Sequence, residues 1–156
     1  MCIVFAPGVQ ADYAVSPSTY QLLDAIADSF NPLFTIVALA VPWARRPRTF
    51  RTIAAYYLAA GAAIGVVYLV RAMDAHQQLW ASIGLDYSTH SAFAASLTVS
   101  ISAFMRRWIA PLVIVLVAYF CLQLVMRYHG LWDIVSSAFL AAAVALLLQL
   151  SGRKLE

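Results

Sequence analysis

Residues 109–150 read IAPLVIVLVAYFCLQLVMRYHGLWDIVSSAFLAAAVALLLQL. Two apolar runs, each close to the ~20 residues that a helix needs to cross a bilayer, flank the polar residues RYHG at 127–130. The runs are rich in leucine, valine and alanine, and they lack the period-two alternation of membrane strands. This stretch therefore predicts two membrane-spanning helices joined by a short polar connection.

The rest of the chain has the same character. Its 156 residues are 63% apolar and only 11% charged, against roughly 25% charged in ordinary globular proteins. We therefore predict an all-α, polytopic helical membrane protein that forms a single membrane domain over residues 1–156. Apolar side chains at helical spacing in 19–30 predict an amphipathic helix within an N-terminal interfacial segment, 1–30. A transmembrane core, 31–150, and a cytoplasmic tail, 151–156, complete the chain.

The apolar runs predict about five transmembrane helices, and the positions of the basic residues predict their orientation. The spans cover about residues 31–44, 52–70, 91–105, 109–126 and 131–150. Five crossings bring the arginines of 45–51, the Arg106-Arg107 pair and residues 153–154 to one side, which carries eight of the ten basic residues. The positive-inside rule makes that side cytoplasmic. The same rule accounts for the net charge of +3 without a nucleic-acid partner. We expect an integral protein of the cytoplasmic (inner) membrane.

The two segments predicted on the opposite, exterior side hold an unusual set of polar residues. They contain all three histidines and the two remaining arginines: Arg71, His76, His90, Arg127 and His129. Ionisable groups at a membrane boundary are costly and usually functional. An anionic substrate group would be met by the arginines and processed by the histidines.

His129 and Asp133 form the strongest candidate pair. If the helix has begun by His129, their spacing of four residues puts the carboxylate one turn along the same face. A carboxylate that orients an imidazole makes histidine a nucleophile or a base. The alternative is a structural polar contact between two helices.

Ser88, Thr89 and His90 lie where the third predicted span begins. Free N–H groups and the helix dipole at such an end favour phosphate, although serine and threonine there are also common helix caps. His90 is either functional or an interfacial histidine with a structural hydrogen bond. No cysteine spacing or HExxH pattern accompanies the histidines, so we expect neither a metal ion nor a cofactor.

GAAIG at 61–65 is a small-xxx-small pattern in the second span. Such patterns let two helices approach closely. Packing within the chain is the favoured interpretation, and the seam of a homodimer is the alternative.

Two segments resemble the type 2 phosphatidic acid phosphatase superfamily of membrane lipid phosphatases. The family's Pro-Ser-Gly-His motif corresponds to Tyr87-Ser88-Thr89-His90, and its final histidine, three residues, aspartate motif to 129–133. Residues 86–97 and 127–140 carry the resemblance. The chain departs from it where Gln123 stands at the expected arginine position. The short spacing from Arg127 to His129 is similar to that in the sphingomyelin-synthase and inositol-phosphorylceramide-synthase branch.

The resemblance implies a metal-independent phosphoric monoester hydrolase that acts on a lipid phosphate at the exterior membrane face. It implies that His129 attacks phosphorus, that Asp133 orients His129, and that His90 protonates the leaving alcohol. Arg71, Arg127, Ser88 and Thr89 would bind the phosphate. Candidate substrates are phosphatidate, phosphatidylglycerophosphate, an isoprenyl phosphate or a lipid-linked sugar phosphate. The alternatives are a head-group phosphotransferase and a non-catalytic lipid-binding membrane protein.

Overall fold

The computed structural model of the chain describes residues 16–44 and 49–153, and these form helices and connections without a strand. The helices are α1 (Pro17–Ala40), α2 (Phe50–Gln77), α3 (Thr89–Phe104), α4 (Ile109–Val125) and α5 (Leu131–Arg153). Short 3₁₀ turns occupy Val41–Trp43, Ala81–Ile83 and Arg106–Trp108. The prediction of an all-α, polytopic membrane protein is confirmed. Residues 1–15, the arginines Arg45, Arg46 and Arg48, and the tail residues 154–156 lie outside the described residues.

Helix α1 is one continuous helix, in which the predicted amphipathic segment 19–30 leads directly into the first predicted span. It begins at Pro17, and the side chain of Ser16 caps it by accepting from Thr19 N at 3.2 Å. Proline is favoured at this first position because its missing N–H would have no helical partner there. The helix has 24 residues and so spans about 36 Å, enough to cover the interface and the hydrocarbon region together.

Helix α3 differs from the other four helices in length and in position. The segments around α1, α2, α4 and α5 are long and apolar enough to cross a membrane, whereas α3 has 16 residues. It is therefore about 24 Å long, shorter than the ~30 Å hydrocarbon core. It packs against all four other helices, and most of its buried residues are alanine or serine, which allow close helix approach. The five predicted spans are thus four long helices around a short central one.

The helices alternate in direction, which gives the bundle two distinct ends. Helix α3 runs alongside α5, with Ser88 N bonded to Ser137 Oγ near their starts and Ser96 Oγ bonded to Ala141 O further on. The connections 78–88 and 126–130 therefore lie together at what we call the histidine end. The other end, where α3 and α5 finish and α2 and α4 begin, is the arginine end.

The small-residue pattern on α2 does not pack as expected. Gly61 and Gly65 are both exposed, and a Cβ atom built on either would meet no described atom within 4 Å. Helices α3 and α5 contact α2 through other faces that include Ala63 and Val67, each 1% exposed. The expectation of close packing within the chain at this pattern is therefore wrong.

Candidate functional site

Asp133 joins the two connections at the histidine end through backbone hydrogen bonds. Helix α5 begins at Leu131, so Asp133 lies in its first turn and its Oδ2 accepts from Gly130 N at 2.8 Å. Its Oδ1 accepts from Asp86 N, also at 2.8 Å. A carboxylate in the first turn that binds the N–H just before the helix is one half of a capping box. Asp133 therefore stabilises the start of α5 and connects it to the segment 78–88.

The expected geometry of His129 and Asp133 is corrected by this helix start. His129 precedes α5, so the four-residue spacing does not put the two side chains one turn apart on a helix face. The backbone of Gly130 and Asp86 takes both carboxylate oxygens of Asp133 instead. Backbone N–H groups just before a helix lack intrahelical partners and compete for a nearby carboxylate.

Asp86 takes the place beside the imidazole that the sequence had assigned to Asp133. Its Oδ2 lies 3.3 Å from Nδ1 of His129, although the pair does not have hydrogen-bond geometry. The side chain of His129 is 15% exposed and that of Asp86 is 64% exposed. The sequence assigned Asp86 no role, because its contact with His129 is made only in the folded chain.

Burial lowers the pKa of His129 below its ordinary value, and this is the largest influence on the group. The charges of Asp86 and Asp133 oppose burial by raising that pKa, while His90 and Arg71 lower it. Four charged or titratable neighbours thus act on one imidazole. The net effect keeps His129 neutral at pH 7, and the neutral imidazole is the form with a free nitrogen lone pair.

Residues Thr89 and His90 lie in the first turn of α3 and face a cavity between α1, α2 and α3. The cavity has a volume of about 330 Å³. Its lining combines polar and apolar side chains: Asp28, Asn31, Pro32, Thr35, Tyr68, Thr89, His90 and Phe93. Asn31 Oδ1 is buried there without a hydrogen-bond partner. His90 is exposed, so the cavity and the imidazole are both open to a ligand.

Ser88 is fully buried and acts as the N-cap of α3. Its backbone N–H donates to Ser137 Oγ at 2.9 Å, and its Oγ lies 2.8 Å from Ser91 Oγ. Its backbone N–H is therefore not free to bind a phosphate oxygen as the sequence had suggested. The half-buried Thr89 is the member of the predicted pair that lines the cavity.

Gln123 is a residue of this region to which the sequence assigned no role. It is 1% exposed, and its Oε1 accepts from Ser91 Oγ at 2.9 Å and from Ser88 Oγ at 3.4 Å. Its Nε2 has no partner in the described chain. The amide fastens the end of α4 to the start of α3. A signal existed in the sequence, because Gln123 stands where the resemblance expects arginine.

The two predicted phosphate-binding arginines have different surroundings. The side chain of Arg71 is 48% exposed and lies 4.0 Å from Asp74 Oδ2, and Asp74 Oδ1 accepts from Trp80 N at 2.8 Å. This contact holds Arg71 at the histidine end, where its charge acts on His129. Arg127 is exposed.

Arg127 has φ of 55°, a left-handed conformation that usually favours glycine. Arg127 N bonds to Leu124 O, and Tyr128 N bonds to Gln123 O. This pair of bonds is the Schellman motif that ends a helix. The hydroxyl of Tyr128 then donates to Asp24 of α1. The backbone of the RYHG turn is thereby held against α4 and the side chain of Tyr128 against α1.

Within residues 16–44 and 49–153, no group of three His, Cys, Asp or Glu side chains is placed to share a metal ion. Comparison of the chain with protein-family models, with curated proteins and with solved structures gave no match. The arrangement of side chains at the histidine end is accordingly what any functional proposal must rest on.

Proposed function

We propose that this chain is a metal-independent membrane lipid phosphatase that hydrolyses a lipid phosphate through a phosphohistidine. One observation carries the proposal: the mostly buried His129 has Asp86 at 3.3 Å from Nδ1 and is acted on by the charges of His90 and Arg71. A neutral imidazole, a second histidine and a cation are the groups that such a reaction requires.

The first step follows from the orientation of the imidazole. Because Nδ1 of His129 faces Asp86, Nε2 is the nitrogen that attacks phosphorus. A bond forms between Nε2 and phosphorus while the bond from phosphorus to the lipid oxygen breaks. Protonated His90 gives its proton to the departing alkoxide, so the lipid alcohol leaves neutral. Asp86 and Asp133 stabilise the positive charge that develops on the imidazole.

The second step returns the site to its starting state. Neutral His90 takes a proton from water as the water oxygen attacks the phosphohistidine. The bond from phosphorus to Nε2 breaks and inorganic phosphate leaves. Arg71 and Arg127 bind the non-bridging oxygens, where charge must be stabilised in both steps. Thr89 supplies a further polar contact at the mouth of the cavity, whereas Ser88 contributes by holding α3 in place.

The cavity beside His90 suggests how a lipid substrate reaches the site. It lies between three helices, and Tyr68, Phe93 and Pro32 are part of its wall. A lipid head group can enter such a space laterally while its tail remains in the bilayer. Phosphatidate, phosphatidylglycerophosphate, isoprenyl phosphates and lipid-linked sugar phosphates are the candidate substrates. We place the histidine end on the exterior face of the cytoplasmic membrane, because Arg51, Arg106 and Arg107 lie at the other end.

A phosphate-release assay on these lipids, with purified protein in detergent micelles, tests the proposal. The His129→Ala protein should release no phosphate above background, a loss of at least about 10⁴-fold, because the nucleophile is gone. His76→Ala is the matched control, since His76 is an exposed histidine in the last turn of α2. Acid-labile, base-stable labelling of the wild-type protein by a radioactive substrate would identify the phosphohistidine. Full activity of His129→Ala rejects the mechanism.

A head-group phosphotransferase is the second candidate, favoured by the exposed Arg127 only two residues before His129. The two reactions share the first step and differ in whether an alcohol or water accepts the phosphoryl-bearing group. Mass spectrometry of products formed with an added acceptor lipid separates them. If neither product forms with any of the lipids, the chain is a non-catalytic lipid-binding protein.

A further inference from the structure

A second cavity lies at the arginine end, between α3, α4 and α5. Its volume is about 340 Å³. The residues that line it are Thr98, Val99, Ser102, Ala103, Arg106, Ile109, Val113, Leu146, Gln149 and Leu150. The volume falls within the range of small-molecule sites. None of these residues belongs to the site at the histidine end.

The inner wall of this cavity carries buried polar atoms without partners. Thr98 is 4% exposed and Gln149 is 7% exposed. Thr98 Oγ1, Ser102 Oγ and Gln149 Nε2 make no hydrogen bond to any described residue. A buried polar group without a partner is unfavourable, above all in a membrane where lipid tails offer none. Two hydroxyls and an amide nitrogen, all able to donate, therefore face the same space and suit a ligand rich in acceptor oxygens.

The mouth of the cavity is cationic and its rim is apolar. Thr98 and Ser102 lie one turn apart on α3, and Arg106, in the 3₁₀ turn that follows the end of α3, lines the same cavity. Ile109, Val113, Leu146 and Leu150 are exposed apolar side chains around the opening. A ligand that fits has a negative group at the boundary, acceptor oxygens just inside it and a hydrocarbon chain beside the helices.

We propose that this cavity binds an anionic phospholipid from the leaflet at the arginine end. The phosphate lies against Arg106, and the ester oxygens accept from Thr98, Ser102 and Gln149. An acyl chain follows the groove past Val113 and Leu146. The proposal does not depend on the reaction at the histidine end, since it uses different residues.

Native mass spectrometry of the protein in micelles with added phosphatidylglycerol or phosphatidylcholine tests this binding. Arg106→Gln should weaken binding of phosphatidylglycerol about fivefold and binding of phosphatidylcholine less, because the choline cation already neutralises much of the phosphate charge that Arg106 meets. Arg107→Gln is the matched control, since Arg107 is exposed and does not line the cavity. Equal loss in both variants, or none in either, overturns the proposal.

A double variant, Thr98→Val with Gln149→Leu, tests the inner wall. It should weaken the binding of both lipids by a similar factor, because both carry the ester oxygens. If it retains both lipids at wild-type affinity, the cavity holds water only and the proposal fails. If the double variant does not fold, as judged by circular dichroism, the comparison of Arg106→Gln with Arg107→Gln still tests the proposal. Phosphate release by both arginine variants should equal wild type, which separates this proposal from the catalytic one.

Discussion

At the histidine end, side-chain oxygens of Asp133, Asp74 and Gln123 accept hydrogen bonds from neighbouring segments, whereas at the arginine end Thr98 Oγ1, Ser102 Oγ and Gln149 Nε2 belong to the lining of a cavity and have no partner. The first arrangement holds chain segments in fixed positions around His129. The second leaves donors available. Polar groups in one helical bundle can thus either connect neighbouring segments or line a cavity without a partner.

The largest effect after loss of His129 is expected from His90→Ala. Removing the general acid should lower the rate of phosphate release about 10²- to 10⁴-fold. A substrate with a nitrophenol leaving group needs little protonation and should recover much of the lost rate in this variant. Phosphate release from the lipid substrate and from the nitrophenyl substrate, measured for His90→Ala and His129→Ala, tests the roles assigned to the two histidines. If His129→Ala is rescued equally well, the two histidines do not have distinct roles.

Asp86→Asn should lower activity about 100-fold through poorer orientation of His129 and should also change its pH dependence. The charge of Asp86 raises the pKa of His129 against the larger effect of burial. Its removal therefore lowers that pKa further. The acid limb of kcat/KM, which in the proposed mechanism follows protonation of His129, should move to lower pH. Asp86→Glu keeps the charge and should keep the limb in place. A shift to higher pH would contradict the role given to Asp86.

Asp133→Ala should reduce stability by about 2 kcal/mol, because two backbone N–H groups lose a charged acceptor. The variant lacks both the hydrogen bond from Gly130 N that caps α5 and the hydrogen bond from Asp86 N. Thermal unfolding in micelles, followed by circular dichroism, measures the change. Ser136→Ala removes the acceptor of Trp80 Nε1 and a hydrogen bond to Asp133 O, but neither bond of the Asp133 carboxylate, and serves as the milder control. An Asp133→Ala protein as stable as that control would show that the carboxylate does not fasten the two connections.

The smallest expected effects on stability compare one buried glutamine at each end of the bundle. Gln123→Leu should cost about 1 kcal/mol in micelles, because Ser88 and Ser91 lose their common acceptor. Gln149→Leu should be neutral or stabilising in lipid-free micelles, because it removes a buried amide nitrogen that has no partner. Parallel melting curves of the two variants provide the comparison. Equal destabilisation would mean that the difference in hydrogen bonding has no energetic consequence.

Much of the fold could be predicted because bilayer insertion depends on composition along the chain. The apolar runs predicted the helices at 109–126 and 131–150 within a few residues, whereas α2 continues seven residues beyond the predicted 52–70. The short third span, predicted at 91–105, also agrees with α3 within two residues. Its central position could not be predicted in this way, because it depends on how closely alanine and serine let four neighbouring helices approach, and that is a property of the packed bundle.

Less of the candidate site could be predicted, since spacing describes only contacts within one element. Asp133 and His129 looked like partners because the helix was assumed to include both. The start of α5 at Leu131 directed the carboxylate to backbone N–H groups instead. Asp86, which took its place, lies in a different connection, and no periodicity relates the two positions.

The sequence alone determined that this protein is an all-α membrane protein, because the free energy of placing each segment in lipid is a sum over its own residues. Tertiary structure alone decided that Asp86 stands beside His129, that Ser88 is buried, and that Thr98 and Gln149 face one cavity without partners. Those features depend on which distant polar groups meet when the helices pack, and a hydrogen bond is specified by three-dimensional geometry over a few ångströms.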